Sequence, residues 1–269
     1  MNTDPFTGRQ LRQLAMAVLA PLLMTMIHSC SPTREPGQVL HRRTLLEDSA
    51  PEVIRTFPTG FERPVEIVFH RGRAHNHPLM AIWLEDMEGN YLQTLYVAES
   101  IGKGYFRHGD PSSGRWMPGP VRRPAALPYW GHQRGIQAPD GYYLPTREDP
   151  VPDALTGPTP SGSFVLASSL PPGDGTPVRI LLEINQSWDW NRHWTNNKFP
   201  EDPHYKSSSQ PALVYEAVIQ PGDSPREVPM QPIGHSHWSG ASGELFPGLE
   251  TLTTALEIAR EIVVRVPGP

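Results

Sequence analysis

Several groups of residues in this chain have types and spacings that could do chemistry. The stretch EINQSWDWNRHWTNN carries Trp188, Trp190 and Trp194 within seven residues, interleaved with Asp189 and Asn191. Aromatic faces beside hydrogen-bonding side chains suit a groove that stacks a sugar or another planar ring. The alternative is that the tryptophans close one end of the fold while the Asn and Asp side chains pair with loop backbone. Asp189, Asn191 and Asp202 could also offer the carboxylate and amide oxygens that Ca²⁺ takes. HNH at 75–77 and HSH at 235–237 each space two imidazoles by two residues, so in an extended segment both rings of a pair project to one face. Brought together, His75, His77, His235 and His237 would suit Zn²⁺ or Cu²⁺. Pro78, Gly234, Ser236 and Trp238 make both places read as loops instead. Glu183 with Asp189 offers paired carboxylates, but nothing in the sequence fixes their separation. HExxH, a cysteine set and G-x-S-x-G are all absent. No catalytic set emerges, and the chain reads as a binding protein rather than an enzyme.

A further stretch, DALTGPTP at 153–160, combines an acid, two threonines, a glycine and two prolines. One reading is a rigid turn, with Gly157 and Pro158 at the bend and Asp153 or Thr156 bonding the local backbone. The other is a resemblance. Asp153, Thr156, Gly157 and Thr159 match most of the D-x-x-[ST]-G-A-[ST] signal of FMN-binding envelope proteins, in which the last threonine takes FMN through a phosphoester. Pro158 stands where that signal has alanine, and it removes a backbone N–H and fixes φ in the loop a transferase would grip. No cofactor is the leading expectation, and FMN on Thr159 the alternative.

The elements that must position these residues follow a period of two. RPVEIVFHRG alternates around Val65, Ile67 and Phe69. In LMAIWLEDMEGNYLQTLYVAES, two apolar runs flank MEGN, whose Gly89 and Asn90 can take positive φ, which predicts a β-hairpin. SGSFVLASSL, VRILLEINQSW and PALVYEAVIQ are three further strand candidates. NRHWTNNKFPEDPHYKSSS is a long polar loop of the kind that is often functional. Near the end, Thr253 or Thr254 can cap a short helix through ALEIAREI before VVRV returns to strand. The pattern predicts an all-β fold: an antiparallel, immunoglobulin-like β-sandwich with long loops and one short C-terminal helix.

The chain has 269 residues, a formal net charge of −5, 32 prolines and 23 glycines. Enough length exists for a sizeable core, and the punctuation favours short strands joined by turns. The charge balance excludes the clustered Lys/Arg footprint of a nucleic-acid binder. Arg9 and Arg12 precede the apolar run LAMAVLAPLLMTMI, and IHSC then ends at Cys30, the single cysteine. Ile27 and Ser29 fit a bacterial lipoprotein signal, while His28 is an unusual neighbour. Residues 1–30 therefore read as a signal peptide with lipidation at Cys30, 31–52 as a flexible tether, and 53–269 as one β-sandwich domain. Lipid at Cys30 would hold the exported chain to the bacterial outer membrane, facing the periplasm, without a spanning helix. Ser31 after the cysteine fits outer-membrane sorting in a Gram-negative host.

Taken in order, AIWLEDMEGNYLQTLYV, LPYW at 127–130, DALTGPTPSGSF, EINQSWDWN, SSSQPALVYEAVI, IGHSHWSGASGEL and LTTALEIA resemble a family of exported bacterial proteins of unknown function. That family shares a WIED…G…TL hairpin followed by a D-A-x-[ST]-G-[AP]-T turn. The resemblance spans roughly residues 62–266 and implies a β-sandwich envelope protein in a flavin-transfer or membrane redox context. Two functions remain. One is a lipid-anchored binding or accessory module, taking an envelope protein partner or a small ligand through Trp188, Trp190, Asn191 and Trp194. The other is an electron carrier with FMN on Thr159, and a metal-binding envelope protein is a third, lesser alternative.

Overall fold

A computed structural model of the chain describes residues 50–172, 175–220 and 226–267. The leader, the Cys30 lipidation site and the tether up to residue 49 lie outside the described residues. From Ala50 onward the chain groups as one compact unit.

In chain order the strands are β1 (Glu52–Arg55), β2 (Arg63–Arg71), β3 (Leu79–Glu85), β4 (Tyr91–Ala98), β5 (Tyr105–Asp110), β6 (Met117–Pro120) and β7 (Thr156–Gly157). They continue with β8 (Phe164–Leu170), β9 (Val178–Asn185), β10 (Leu213–Ile219), β11 (Arg226–Pro229), β12 (Gln231–His235) and β13 (Ala259–Val266). Three short α-helices join them among the described residues: α1 (Glu99–Gly102), α2 (Pro128–Arg134) and α3 (Pro203–Ser208). The protein is mostly β. One sheet has five strands in the order β1-β8-β2-β13-β11, another has six in the order β12-β10-β9-β3-β4-β7, and β5-β6 form a ribbon.

The six runs read as strands are strands, VVRV lies in β13, and the hairpin falls where the sequence puts it. Its turn is set by Asp86, whose Oδ1 accepts the backbone N–H groups of Glu88 at 3.0 Å and Asn90 at 2.8 Å. Gly89 takes φ 85°, where a side chain would be strained. The Asn90 side-chain amide, which donates to Oδ2 at 2.7 Å, and then these backbone donors hold the Asp86 carboxyl below its usual range.

The wholly antiparallel expectation is corrected, because both large sheets are mixed. β1 lies parallel to β8, and β7 parallel to β4. Both are short edge strands reached by long connections, and alternation within a strand carries no information about the direction of its neighbour. The C-terminal helix is also shorter than expected. Only Thr254–Glu257 turns, as a 3₁₀ segment without a side-chain cap, and β13 already begins at Ala259. The β-branched run Ile262–Val264 favours extension, and pairing of β13 with both β2 and β11 outweighs one turn of helix.

β3 is buried at every position. Its Met80, Ile82 and Leu84 belong to a cluster with Ile67, Phe69, Phe164 and Leu166 of the five-stranded sheet. Its Leu79, Ala81 and Trp83 belong to a second cluster with Leu127, Trp130 and Val151. An apolar run without alternation is what a strand covered on both faces requires. Each large side chain fully buried here contributes on the order of 1.5–3 kcal/mol. The segments between α1 and β7 thus pack over the six-stranded sheet, and that packing frames the site described next.

Candidate functional site

The 153–160 stretch is built into the edge of the six-stranded sheet. Asp153–Leu155 form a single 3₁₀ turn, and the Asp153 carboxylate accepts Lys103 Nζ at 2.8 Å. Lys103 also reaches Glu99 Oε1 at 2.8 Å. Thr156 and Gly157 then run beside Val97 and Ala98 of β4. Gly157 lies so close to Tyr96 that an added Cβ would stand 2.8 Å from its ring. The Tyr96 hydroxyl donates to the Pro158 carbonyl at 2.9 Å. The bend expected at Gly157 and Pro158 lies instead at Asp153–Leu155, with Gly157 in strand, and Asp153 spends its side chain on a lysine rather than on local backbone. Thr156 does bond locally, through Oγ1 to the Asp153 carbonyl at 3.4 Å. Asp153, Thr156 and Gly157 fix the segment, while half-buried Thr159 emerges beyond it.

Thr159 lines a cavity of about 760 Å³. Trp188 lines it too, so the threonine-bearing turn and the tryptophan-rich loop meet in one place. Lys103, Phe106, Arg107, Arg123 and His77 complete the walls that matter chemically. A volume of this size falls in the range of small-molecule clefts. Among the described residues three non-glycine residues have positive φ, and two of them, His77 at 51° and Trp188 at 64°, line this cavity. Holding such a backbone costs about 1–3 kcal/mol per residue, and strain of this kind gathers at functional sites.

The tryptophans part company. Trp188 is 56% and Trp190 50% exposed, whereas Trp194 is 5% exposed. Trp194 Nε1 donates to Thr251 Oγ1 at 3.0 Å, and its ring sits 6.1 Å from that of Trp238. Asn191 is occupied internally: Oδ1 accepts the backbone N–H groups of Trp194 at 2.7 Å and His193 at 2.9 Å. Its Nδ2 lies 2.9 Å from the Thr251 carbonyl and 3.0 Å from Gln210 Oε1. Asn191 and Trp194 thus build the loop, and Trp188 and Trp190 are the pair left facing outward. The calcium arrangement does not assemble either, since Asp202 caps α3 by accepting the backbone N–H groups of His204 and Tyr205.

The histidine pairs have different surroundings. His75 meets Phe69 edge-on at 5.8 Å, and burial, then Arg71 and His77, lower its pKa to about 4. His77 sits at the cavity. His235 stacks on Phe246 at 5.5 Å and His237 on Trp238 at 4.0 Å, inside an aromatic cluster. Burial lowers the His237 pKa. Among the described residues no group of three or more His, Cys, Asp or Glu is arranged to hold a metal ion. His237 Nδ1 instead lies 3.2 Å from Ser239 Oγ, beside a second cavity of about 400 Å³ lined by His132, Tyr142, His204 and Ser239.

Arg123 carries no sequence signal, and Glu183 is singled out in the sequence only as half of a carboxylate pair with Asp189. Arg123 is one of two adjacent arginines before a proline, and it comes to the cavity through packing of the α2 entry against β9. Glu183 looks from its strand like a surface acid, yet it is wholly buried.

The chain matches no family model, no curated protein and no solved structure.

Proposed function

We propose that this protein is a binding or accessory module of the bacterial cell envelope, held by lipid on Cys30 to the outer membrane facing the periplasm. Its ligand enters the cavity between Thr159 and Trp188. One observation carries the reading: two of the three strained non-glycine residues, His77 and Trp188, line the cavity that also takes in Thr159. Trp188 supplies an exposed ring for stacking. The sheets behind it are read as the two layers of an immunoglobulin-like sandwich, supported by the cluster they share through Phe69, Phe164, Ile82 and Ile184. The resemblance to exported envelope proteins gives the redox context. Replacing Trp188 and Trp190 by alanine tests the surface: ligand or partner binding is lost while the folded spectrum is kept. Binding that persists in the double variant rejects it.

A second reading shares the cavity. Thr159 shares the cavity wall with Trp188 and the basic residues Arg107 and Arg123, so an FMN joined to its hydroxyl would have a ring wall and cations in the same cavity. Bound FMN would supply one- and two-electron transfer. Tyr96 and the β4 edge hold the segment that precedes Thr159, which keeps the hydroxyl at the cavity. The intact mass and visible spectrum of mature protein from an exporting host with a flavin transferase decide between the two. A yellow protein whose flavin disappears in Thr159→Ala is an electron carrier, and a colourless, unmodified one is the binding module.

A further inference from the structure

The walls of the Thr159–Trp188 cavity differ in chemistry, and the difference specifies a ligand class. Lys103 is committed to the carboxylates of Glu99 and Asp153. Arg107 and Arg123 have no carboxylate partner among the described residues. Arg123 is half-buried and held in place from two sides: Nη1 donates to Ser187 Oγ at 2.6 Å, and its guanidinium lies 4.8 Å over the Phe106 ring. Its Nε is buried and has no hydrogen-bond partner. Burial lowers the Arg123 pKa, but an arginine stays charged across the physiological range. A fixed cation with no carboxylate partner among the described residues, on a chain of net charge −5, is a local inversion of sign. Guanidinium groups recognise planar oxyanions and phosphates by paired N–H bonds. Next to them, Trp188 offers its ring.

We infer that the ligand of this cavity is a planar aromatic compound bearing an anionic group, with the ring against Trp188 and the anion on Arg123 and Arg107. This inference rests on the binding-module reading and adds the chemistry of what is bound. A free metabolite and a flavin nucleotide share that chemistry, and the probes below tell them apart.

The test uses mature protein made without a flavin transferase and compares twins that differ only in phosphate: 1-naphthyl phosphate with 1-naphthol, and FMN with riboflavin, with inorganic phosphate as a ring-free control. Calorimetric titration should find the phosphorylated member of at least one pair bound about tenfold or more tightly than its twin. Arg107→Gln and Arg123→Gln should each collapse that ratio, and Trp188→Ala should weaken both twins alike. Arg123→Lys retains the charge, and an intermediate ratio there separates lost recognition from a folding defect. Preference for the FMN pair alone identifies a flavin nucleotide, and equal preference in both pairs a broader class of aromatic anions. A neutral twin that binds as tightly as its phosphate, with loss in Trp188→Ala, overturns the anion and leaves the binding module standing. Phosphate alone binding as tightly overturns the ring. Binding indifferent to all three residues, or absent for every probe, overturns both the inference and the cavity.

Discussion

The Glu183 carboxylate accepts the backbone N–H of Trp130 at 2.8 Å, with the N–H of Tyr129 at 3.2 Å from its other oxygen. A side chain from the middle of β9 therefore caps the first turn of α2, and two donors that a helix start leaves unpaired are satisfied through the sheet. Burial outweighs those donors and pushes the Glu183 pKa up from 4.5 to about 8. Acid–base work with Asp189 is not its geometry: Asp189 Oδ1 takes the Thr254 hydroxyl at 2.5 Å.

The Glu183 shift sets a pH dependence. The folded chain holds this proton where the unfolded chain has released it, so the stabilisation is complete below about pH 4.5 and is lost as pH rises toward about 8. Glu183→Gln keeps an acceptor for α2 and removes the titration. Urea unfolding across that window should give a shallower pH slope for the variant, and an unchanged slope would place the titration elsewhere. Glu183→Ala, which leaves both donors bare and also removes the titration, should cost about 1–3 kcal/mol below about pH 4.5 and less as pH rises.

Arg179 and Glu85 are direct cross-strand partners on β9 and β3, joined Nη1 to Oε2 at 2.8 Å. Trp83 Nε1 donates to the other Glu85 oxygen at 2.8 Å, and Arg179 Nε bonds Glu216. Glu85 is 1% exposed, and burial raises its pKa despite the arginine. Removing the cation in Arg179→Met should destabilise the protein by about 3–5 kcal/mol near neutral pH. Acidification should shrink the penalty, because a protonated Glu85 no longer needs a counter-charge. A penalty of the same size at neutral and acid pH would mean that lost packing, not a bare charge, is responsible.

Trp188 and Asn191 sit three residues apart and should respond in opposite ways. Glycine at 188 removes left-handed strain worth about 1–2 kcal/mol and adds roughly 0.5–1 kcal/mol of unfolded-state entropy. Trp188→Gly is then neutral to slightly stabilising while binding at the cavity is lost. Asn191→Ala strips the loop of its central amide and should cost about 1–3 kcal/mol. Thermal melting of both variants checks the contrast. A Trp188→Gly that unfolds earlier than the parent would make the indole a structural element.

Gly157 has no room for a methyl group beside Tyr96. Gly157→Ala must push the ring or the strand end outward and should cost about 1–3 kcal/mol, with displacement of Thr159 from the cavity. Tyr96→Phe removes the bond to Pro158 and should cost about 0.5–1.5 kcal/mol without a steric change. If both variants lose the same amount, the tyrosine hydroxyl and not the close approach holds this edge.

Strand positions, the 86–90 turn and the all-β class could be read from the sequence because each is local: side-chain alternation, turn chemistry and β-branched runs act over a few residues. The exposed pair Trp188 and Trp190 was legible as aromatic richness, but the same richness included Trp194 and Asn191, which the fold consumes. Identical residue types were sorted between surface and interior by which neighbours arrived to cover them. The parallel edges β1–β8 and β4–β7 depend on where long connections return, and no period records that. Glu183 beneath α2 and Arg123 beside Phe106 depend on segments far apart in the chain packing over the six-stranded sheet. By itself the sequence determined the local elements and a short roster of reactive types. Only the tertiary structure decided which of them share a cavity, because burial, charge pairing and strain are properties of contacts that the chain makes only when folded.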